Sequence, residues 1–454
     1  MKKTTTLLIA FLLISSFMVL SEHTATSQQP TENTWKSLKP IPQTDTYKAV
    51  TVNGQIHLLS SRNHYVYNPN KDEWTTKKTM TTARNFFGIT VYHDKIYVIG
   101  GTYGSDGEYF TSDAVEVYDL KTDNWETKAS MLTARSSLCA NEVDGKIYLI
   151  GGRTGGPSSI VGINEVYDIT TDTWTTKKPL HNPVDAYASA VVDGKIYVLG
   201  GFEGLYHRAP VDFTQIYDPK TDTWSRGAQM PNITCDAAAG ATSGLLAPKQ
   251  IYVIGGGQRD LATNAIQIYN PATDTWTIGA DMPSARCALT VAVSNDIIYA
   301  IGGMSTALGP PLTTNERYVP YGYGALDQTH PGELLEFTLL SPQNKTYYGP
   351  MVALEFSSKT LVDWTGYKLD DGLIIEAQGN TTLENLPLGQ HRLTVYTTDT
   401  SGNLQVTQTI HFTTEKTQPK IIHLELAIII IVTITIIIGA GLLYRHKKRE
   451  RTVD

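Results

Sequence analysis

Hydrophobic and polar residues repeat with a period of about 50 over the first two thirds of the chain. Each period contains a short apolar stretch, a turn, a second apolar stretch ending in Gly-Gly, a variable loop, an alternating stretch ending in Tyr-Asp or Tyr-Asn, and a turn before a tryptophan. The fourth period reads "GKIYVLGG" at 194–201 and "QIYDPKTDTW" at 215–224. Short apolar or alternating runs separated by turn residues predict four antiparallel strands in each period.

Six such units follow one another. The tyrosine stands seven residues before the tryptophan in five of them, at Tyr67, Tyr118, Tyr167, Tyr217 and Tyr269. A four-stranded sheet buries too little surface alone, so each sheet must stack on its neighbours, and tryptophan supplies the apolar area for that contact. Sheets stacked around an axis close into a ring with short edges. The pattern predicts an all-β fold, a six-bladed propeller over residues 34–322. Because Trp35 precedes the first unit and the last unit lacks a tryptophan, we expect the N-terminal strand to complete the last blade.

The order "IYVIGG", "VEVYD" and tryptophan at this period resembles the kelch motif, and six units resemble a six-bladed kelch propeller. Two departures stand out. The first unit has Ser60 and Ser61 where the others have Gly-Gly, and the fifth carries an insertion within "TSGLLAPKQ". We expect local changes of blade geometry at both places.

The period stops near residue 331. Residues 331–415 alternate apolar and polar positions with turns every 8–12 residues, the pattern of a β-sandwich. The stretch "LGQHRLTVYTTDTSGN" is similar to the closing hairpin of immunoglobulin-like or fibronectin-like modules. We therefore predict a small immunoglobulin-like stalk with Trp364 and Tyr396 in its core.

Both ends of the chain carry apolar segments. Residues 1–27 combine two lysines with an apolar run, which is typical of a secretory signal peptide. Residues 426–444 are nearly unbroken apolar residues, long enough to cross a bilayer as one helix, and the basic tail 445–454 follows. The positive-inside rule predicts a single-pass plasma-membrane protein with its propeller and stalk outside the cell and its tail in the cytoplasm.

The composition agrees with a β protein, since 25 Tyr, 37 Gly and 21 Pro favour strands and turns. A net charge of −7 without a basic block in the main body argues against nucleic acid as a partner. Cys235 and Cys287 occupy the same place in adjacent units, where they form either a disulfide or two buried thiols. The glycosylation patterns begin at Asn232, Asn344 and Asn380.

A set of charged residues marks the start of the innermost strands. Arg84, Arg135 and Arg286 each stand 16 residues before the first glycine of Gly-Gly, and Asp185 lies one position further along in the fourth unit. In one interpretation they face a channel mouth and bind a carboxylate or sugar hydroxyls. In the other, the arginines pair with neighbouring acids or carbonyls and hold the blades together.

The loops after Gly-Gly open on one face and combine aromatic with charged residues, which suits recognition of a sugar or a peptide. The candidate binding residues in these loops are Tyr103, Glu108, Tyr109, Phe202, Tyr206, His207 and Arg208.

No phosphate loop, zinc pattern, calcium loop or nucleophile elbow is present in the sequence, so we expect no catalytic residues, metal or cofactor. The sequence favours a cell-surface binding module for an extracellular protein or glycan. The resemblance leaves two enzyme alternatives open, a sialate epimerase-like sugar-converting enzyme and a galactose oxidase-like copper oxidase. A structural envelope protein is a further alternative.

Overall fold

The computed structural model describes residues 31–104, 108–156, 159–204, 209–258, 261–307, 309–323, 337–358, 362–370, 374–377, 379–399, 404–416, 438 and 440–441. The predicted signal peptide 1–27 and tail 445–454 lie outside these residues, and only Ile438, Ala440 and Gly441 of the predicted span 426–444 lie within them. Across the described part of the chain, no helix has the length and apolarity needed to cross a bilayer.

Within the described residues, 34–319 form six four-stranded antiparallel sheets, here called blades 1 to 6. The first strand, β1 (Thr34–Ser37), belongs to blade 6. Blade 1 contains β2 (Lys48–Val52), β3 (Gln55–Leu59), β4 (His64–Asn68) and β5 (Glu73–Thr76). Blade 2 contains β6 (Gly88–Tyr92), β7 (Lys95–Ile99), β10 (Val115–Asp119) and β11 (Asn124–Lys128), with the short hairpin β8 (Thr102–Tyr103) and β9 (Phe110–Thr111) in its loop. Blade 3 contains β12 (Cys139–Val143), β13 (Lys146–Ile150), β14 (Asn164–Asp168) and β15 (Thr173–Lys177).

The other three blades repeat this order. Blade 4 contains β16 (Ala188–Val192), β17 (Lys195–Leu199), β20 (Thr214–Asp218) and β21 (Thr223–Arg226), with the loop hairpin β18 (Phe202–Glu203) and β19 (Ala209–Pro210). Blade 5 contains β22 (Ala238–Ala241), β23 (Ile251–Ile254), β26 (Ile266–Asn270) and β27 (Thr275–Ile278), with the loop hairpin β24 (Gly257–Gln258) and β25 (Leu261–Ala262). Blade 6 contains β28 (Thr290–Ser294), β29 (Ile297–Ile301) and β30 (Asn315–Val319), with β1 paired to β30.

The six blades are arranged around an axis in chain order. The first strand of each blade contacts the first strand of the next, and β2 of blade 1 also contacts β28 of blade 6. The expected closure by the N-terminal strand is confirmed, because Trp35 pairs with Tyr318 across β1 and β30. The loops after Gly-Gly lie at one end of the inner strands, the loop face, and the turns between the first and second strands lie at the other end, the turn side.

The recurring tyrosine, acid and tryptophan form a clamp on the connector that leaves the preceding blade. In blade 3 the Tyr167 hydroxyl donates to Asp172 Oδ1 at 2.6 Å, and the backbone amide of Ala129 donates to the same oxygen at 2.9 Å. Trp174 Nε1 donates to the carbonyl of Ala129 at 2.8 Å. One connector residue is therefore held through both its N–H and its C=O.

The same tryptophan contact recurs in all six blades, including the one that β1 completes. The indole N–H groups donate at 2.8–3.0 Å to the carbonyls of Lys39, Lys78, Ala129, Lys178, Ala228 and Ala280. In every unit the clamp acceptor, an aspartate or in blade 6 an asparagine, has a positive φ, a conformation that Asp and Asn adopt more readily than most residues; these residues are Asn33, Asp72, Asp123, Asp172, Asp222 and Asp274. The repeated phrase in the sequence encodes contacts between blades.

Replacing Asp172 by alanine is expected to lower the free energy of unfolding by about 2–3 kcal/mol, because the Tyr167 hydroxyl and the Ala129 amide lose their acceptor and alanine disfavours a positive φ. Urea unfolding of the full chain measures the loss. Asp172→Asn keeps an acceptor and the backbone preference, so it should cost clearly less. Equal losses in the two variants would show that the hydrogen bonds are not the cause.

The first glycine of Gly-Gly lies where the next blade passes closely. A Cβ on Gly151 would stand 2.6 Å from the carbonyl oxygen of Val184 in blade 4, and the residue has a φ of 62°. Blade 1 needs no such glycine, because only residues 60–63 connect β3 to β4 and Ser60 pairs with Asn63 in a tight turn. The substitution of Ser60 and Ser61 therefore changes the loop and leaves the four strands in place.

Blade 1 also differs at its contact with blade 2. In the other blades a tyrosine of the second strand packs on a tyrosine of the following blade, as Tyr97 does on Tyr167 with ring centroids 6.3 Å apart. His57 takes this place in blade 1 and lies against Tyr118 at 6.4 Å. His57 Nδ1 lies 3.0 Å from His64 Nε2, and both rings are buried.

Residues 337–415 form two further sheets around a separate hydrophobic core. Their strands are β31 (Phe337–Ser341), β32 (Thr346–Tyr348), β33 (Val352–Ser358), β34 (Val362–Leu369), β35 (Ile374–Glu376), β36 (Thr381–Leu383), β37 (Gly389–Asp399) and β38 (Leu404–Glu415). The expectation that Tyr396 lies in this core is wrong, and the side chain of Trp364, expected there too, lies outside what the structure describes. Leu393 and Val395 point inward, so the adjacent Tyr396 lies on the opposite face of the strand and packs against the propeller.

Candidate functional site

The three arginines are buried and paired with acids and carbonyls. Arg84, Arg135 and Arg286 have no exposed surface with which to reach a ligand. Arg135 Nη2 donates to Glu165 Oε2 at 3.0 Å, and its Nη1 donates to the carbonyls of Gly151 and Ile163 at 2.8 and 3.0 Å. This geometry agrees with the second interpretation of the sequence, in which the arginines pair with neighbouring acids or carbonyls.

The other two arginines repeat the pairing with a glutamate of the third strand. Arg84 pairs with Glu116 at 2.7 Å and Arg286 with Glu316 at 2.6 Å. Blade 4 has Val184 in place of arginine, and its third strand carries Gln215, whose side chain bonds the backbone of Asn182. The charge is therefore absent from both positions of that blade. In the sequence, blade 4 thus has Val and Gln at the two positions where blades 2, 3 and 6 have Arg and Glu.

Asp185 is likewise withdrawn from the loop face. Its side chain is fully buried, with a carboxylate oxygen 3.7 Å from the guanidinium of Arg153 in the neighbouring blade. Its backbone pairs with Phe202, which is half-buried at the base of the β18–β19 hairpin. Asp185 and Phe202 therefore support the loop of blade 4.

The cysteines are free thiols in the structure. Cys235 Sγ donates to the carbonyl of Gly257 and Cys287 Sγ to that of Met304. The predicted glycosylation residues Asn232, Asn344 and Asn380 are all exposed.

The channel mouth on the loop face is narrow. Five equivalent residues with positive φ surround it, and the amide of each later one donates to the carbonyl of the one before at 2.8–3.0 Å; they are Phe86, Ser137, Ala186, Asp236 and Ala288. In blade 1 the amide of Thr46 donates to the side chain of Asp45. The cavity at this mouth measures about 60 Å³, room for about two water molecules. Behind it lies a channel of about 510 Å³ lined by the inner strands.

The channel walls are mostly small apolar side chains with a few polar ones. Asn141 Oδ1 accepts a hydrogen bond from the Ser189 hydroxyl at 2.8 Å, and the adjacent Glu142 accepts from the amide of Gly145. Burial raises the pKa of Glu142 above its ordinary value. No group of three or more His, Cys, Asp or Glu side chains suited to a metal ion is found among the described residues.

Exposed aromatic residues cluster on the loop of blade 2. Tyr103, Tyr109 and Phe110 are 46%, 69% and 53% exposed, and the rings of Tyr103 and Phe110 lie 5.8 Å apart. The hairpin is fixed to the mouth, since Thr102 and Asn85 exchange backbone hydrogen bonds at 2.7 and 2.9 Å. Phe86, the next residue, is 44% exposed. We call Phe86, Tyr103, Tyr109 and Phe110 the blade 2 aromatic patch; Glu108 is exposed beside it.

A second apolar region lies on the same face between the loops of blades 4 and 5. Ile233, Pro210 and Leu261 line a groove of about 580 Å³, and Leu261 is 74% exposed. Tyr103, Glu108 and Tyr109 were predicted from the sequence, whereas Phe86, Phe110, Ile233 and Leu261 were not. Tyr206, His207 and Arg208 lie outside the described residues. The residues that were not predicted are hydrophobic side chains in otherwise polar loops, and that contrast is the sequence pattern that could have indicated them.

Comparison with known proteins agrees with the repeat. Residues 87–303 match the family described as the KLHDC2/KLHL20/DRC7 Kelch-repeats domain. Kelch-like protein 41a of Danio rerio is 31% identical over 129 residues, 26% of this chain and 21% of that protein. Beta-scruin of Limulus polyphemus is 26% identical over 266 residues, 56% of this chain and 23% of that protein. The chain spans about a fifth of the length of these relatives.

A solved structure titled "Structure of YjhT" shares the fold. It superposes with a TM-score of 0.53 at 16% identity, covering 61% of this chain and 96% of that one. The repeat, the six blades and these similarities together support a β-propeller built from kelch-like repeats.

Proposed function

We propose that this chain is a binding module of the cell surface, and that its propeller engages an extracellular protein through the loop face. The blade 2 aromatic patch carries the proposal. Tyr103, Tyr109 and Phe110 are exposed on a hairpin that backbone hydrogen bonds hold to the rigid mouth, and Phe86 is exposed at the mouth itself. Exposed aromatic residues on a rigid support lose little conformational entropy on binding and are enriched where proteins meet.

The width of the apolar surface favours a macromolecule over a small substrate. The groove at Ile233 and Leu261 provides a second contact region on the same face. The mouth between the two regions has a cavity of only about 60 Å³. Among its five ring residues, Asp236 is the single acidic one. An enzyme would instead need convergent acid and base groups, whereas the channel of about 510 Å³ behind the mouth is lined mostly by small apolar side chains.

A glycan is the second candidate, favoured by one observation. Tyr103 and Phe110 present neighbouring exposed rings with Glu108 on the same loop, an arrangement that suits the apolar face and the hydroxyls of a sugar. The location outside the cell, the signal peptide 1–27 and the membrane helix 426–444 are proposed from the sequence alone.

The test uses a double variant of the patch. The full chain, held in detergent, is screened against arrays of secreted proteins and of glycans. For any ligand found, Tyr103→Ser with Phe110→Ser should weaken the affinity at least about ten-fold, because both rings lose their contact area. Both side chains are exposed, so stability should change by less than about 0.5 kcal/mol.

The matched control is Ile278→Ser, which removes an exposed apolar residue from the outer strand of blade 5. Its affinity should equal that of the unchanged chain. Equal weakening in both variants, or none in the patch variant, would overturn the proposal. A glycan ligand with the same dependence would support the second candidate.

A further inference from the structure

The insertion in the fifth unit forms a distinct feature on the turn side of the propeller. Residues 242–250 connect β22 to β23, where blade 4 needs only the turn at 193–194. The Thr242 hydroxyl donates to the carbonyl of Pro248 at 2.6 Å, which closes the inserted loop on itself. This hydrogen bond restricts the conformation of the inserted loop.

Both neighbouring blades hold the insertion. On the blade 6 side, Asp296 is buried and its carboxylate accepts the amides of Ser243 at 2.6 Å and Leu246 at 2.8 Å. On the blade 4 side, Lys249 forms an ion pair with Asp193 at 2.8 Å. The insertion consequently spans three blades at the turn-side mouth of the channel.

The apolar residues of the insertion meet the point where the chain leaves the propeller. Leu246 and Ala247 are buried in one cluster with Tyr323, and Leu245 packs against that cluster. A Cβ added to Gly322 would stand 3.0 Å from the ring of Pro248, so the two segments are in close contact. The exit of the chain is thus fixed against the insertion.

The C-terminal sheets reach the same place. Tyr396 of β37 packs against the cluster that contains Leu246 and Tyr323. Glu376 of β35 lines a cavity of about 510 Å³ together with Lys249 and Asp296. The C-terminal sandwich therefore lies against the turn side, at the end of the channel opposite the loop face.

From these contacts we infer that the insertion is a docking ledge, which holds the C-terminal sandwich in one orientation so that the loop face is directed away from it. A short linker alone would let the two domains move relative to each other. The buried carboxylate and the ion pair hold the insertion on the propeller, and the apolar cluster against which Tyr396 packs opposes motion of the sandwich relative to it. The inference does not depend on what the loop face binds.

Distance measurement between spin labels tests the ledge directly. Labels at Tyr109→Cys on the loop face and Leu388→Cys on the sandwich are both exposed, and Cys139→Ser removes the one partly exposed native thiol. The full chain should give one narrow distance distribution. Tyr396→Arg places a charge in the apolar cluster and should broaden the distribution at least about two-fold.

A second variant from the other side of the interface guards against misfolding of the sandwich. Leu245→Arg should broaden the distribution as Tyr396→Arg does, with the circular dichroism of a folded β protein retained. The control, Leu340→Arg, replaces an exposed leucine elsewhere on the sandwich and should leave the distribution narrow. A broad distribution in the chain without the arginine substitutions, or a narrow one in both ledge variants, would overturn the inference.

Discussion

Replacing Arg135 by valine is expected to lower the free energy of unfolding by about 3–5 kcal/mol, since Glu165 is left buried without its cation. Adding Glu165→Gln to the same chain should recover most of the loss. Blade 4 already carries this combination as Val184 and Gln215, in a position that folds with the same four strands. Urea unfolding of the parent, the two single variants and the double variant measures the coupling energy, which should be about 2–3 kcal/mol.

Two results would contradict this account of the Arg135 pair. A loss below about 1 kcal/mol for Arg135→Val would mean that Glu165 finds other partners or takes up a proton at little cost. A double variant as unstable as the single one would mean that Val and Gln suit only the surroundings of blade 4. Ligand binding at the loop face should be unchanged in the double variant, because neither side chain reaches the surface.

The buried pair His57 and His64 should make the propeller unstable in mild acid. Burial lowers the pKa of His57 to about 3 and that of His64 to about 4. The charged groups that face them are Lys77 and, for His64, also Asp123. The folded state thus binds protons less readily than the unfolded state, whose histidines titrate near pH 6.5.

The sign of the effect follows from this difference. The stability associated with neutral histidines is fully present above pH 6.5 and is lost as the pH falls, by about 1.4 kcal/mol per pH unit for each ring. Between pH 6.5 and 4.5 we expect a total loss of roughly 3–5 kcal/mol. Four clamp aspartates have pKa values below their ordinary range, so they contribute to acid instability only at lower pH; they are Asp123, Asp172, Asp222 and Asp274.

Unfolding in urea at pH 6.5, 5.5 and 4.5 measures the slope. The variant His57→Tyr with His64→Val restores residues that other blades carry at these positions, Tyr97 and Val115 in blade 2. Its stability should vary much less over this range. His93→Asn, in an exposed turn, serves as the control and should keep the slope of the parent. A parent whose stability is flat from pH 6.5 to 4.5 would show that the pair does not control acid stability.

Much of the fold could be predicted because its determinants recur in every unit. The Tyr-to-Trp spacing and Gly-Gly mark equivalent strands, and Trp35 without a preceding unit indicated the closing strand, which the pairing with Tyr318 confirms. The residue that the clamp holds could not be predicted. It is contacted through its backbone, so its side chain varies between Lys39 and Ala129 and leaves no pattern in the sequence.

The candidate site was predicted less well, for two physical reasons. The sequence predicts that Arg84 lies near the mouth, but it does not predict where the side chain points. That direction depends on the carboxylate of Glu116, 32 residues away in the chain. The exposure of Phe86 depends on a positive φ that phenylalanine does not favour. Tyr103 and Tyr109 could be predicted because they occupy a long loop, where exposure is the ordinary outcome.

The closing of the ring by β1 has a mechanical consequence. The strand from which the chain leaves the propeller, β30, lies between β1 and β29 and is hydrogen-bonded on both sides. A pulling force applied beyond Val319 must therefore break two ladders together, whereas an outermost strand such as β27 could be peeled from its single neighbour. The propeller should therefore resist tension applied at its C-terminal end more strongly than it would if its last strand lay at the edge of the sheet.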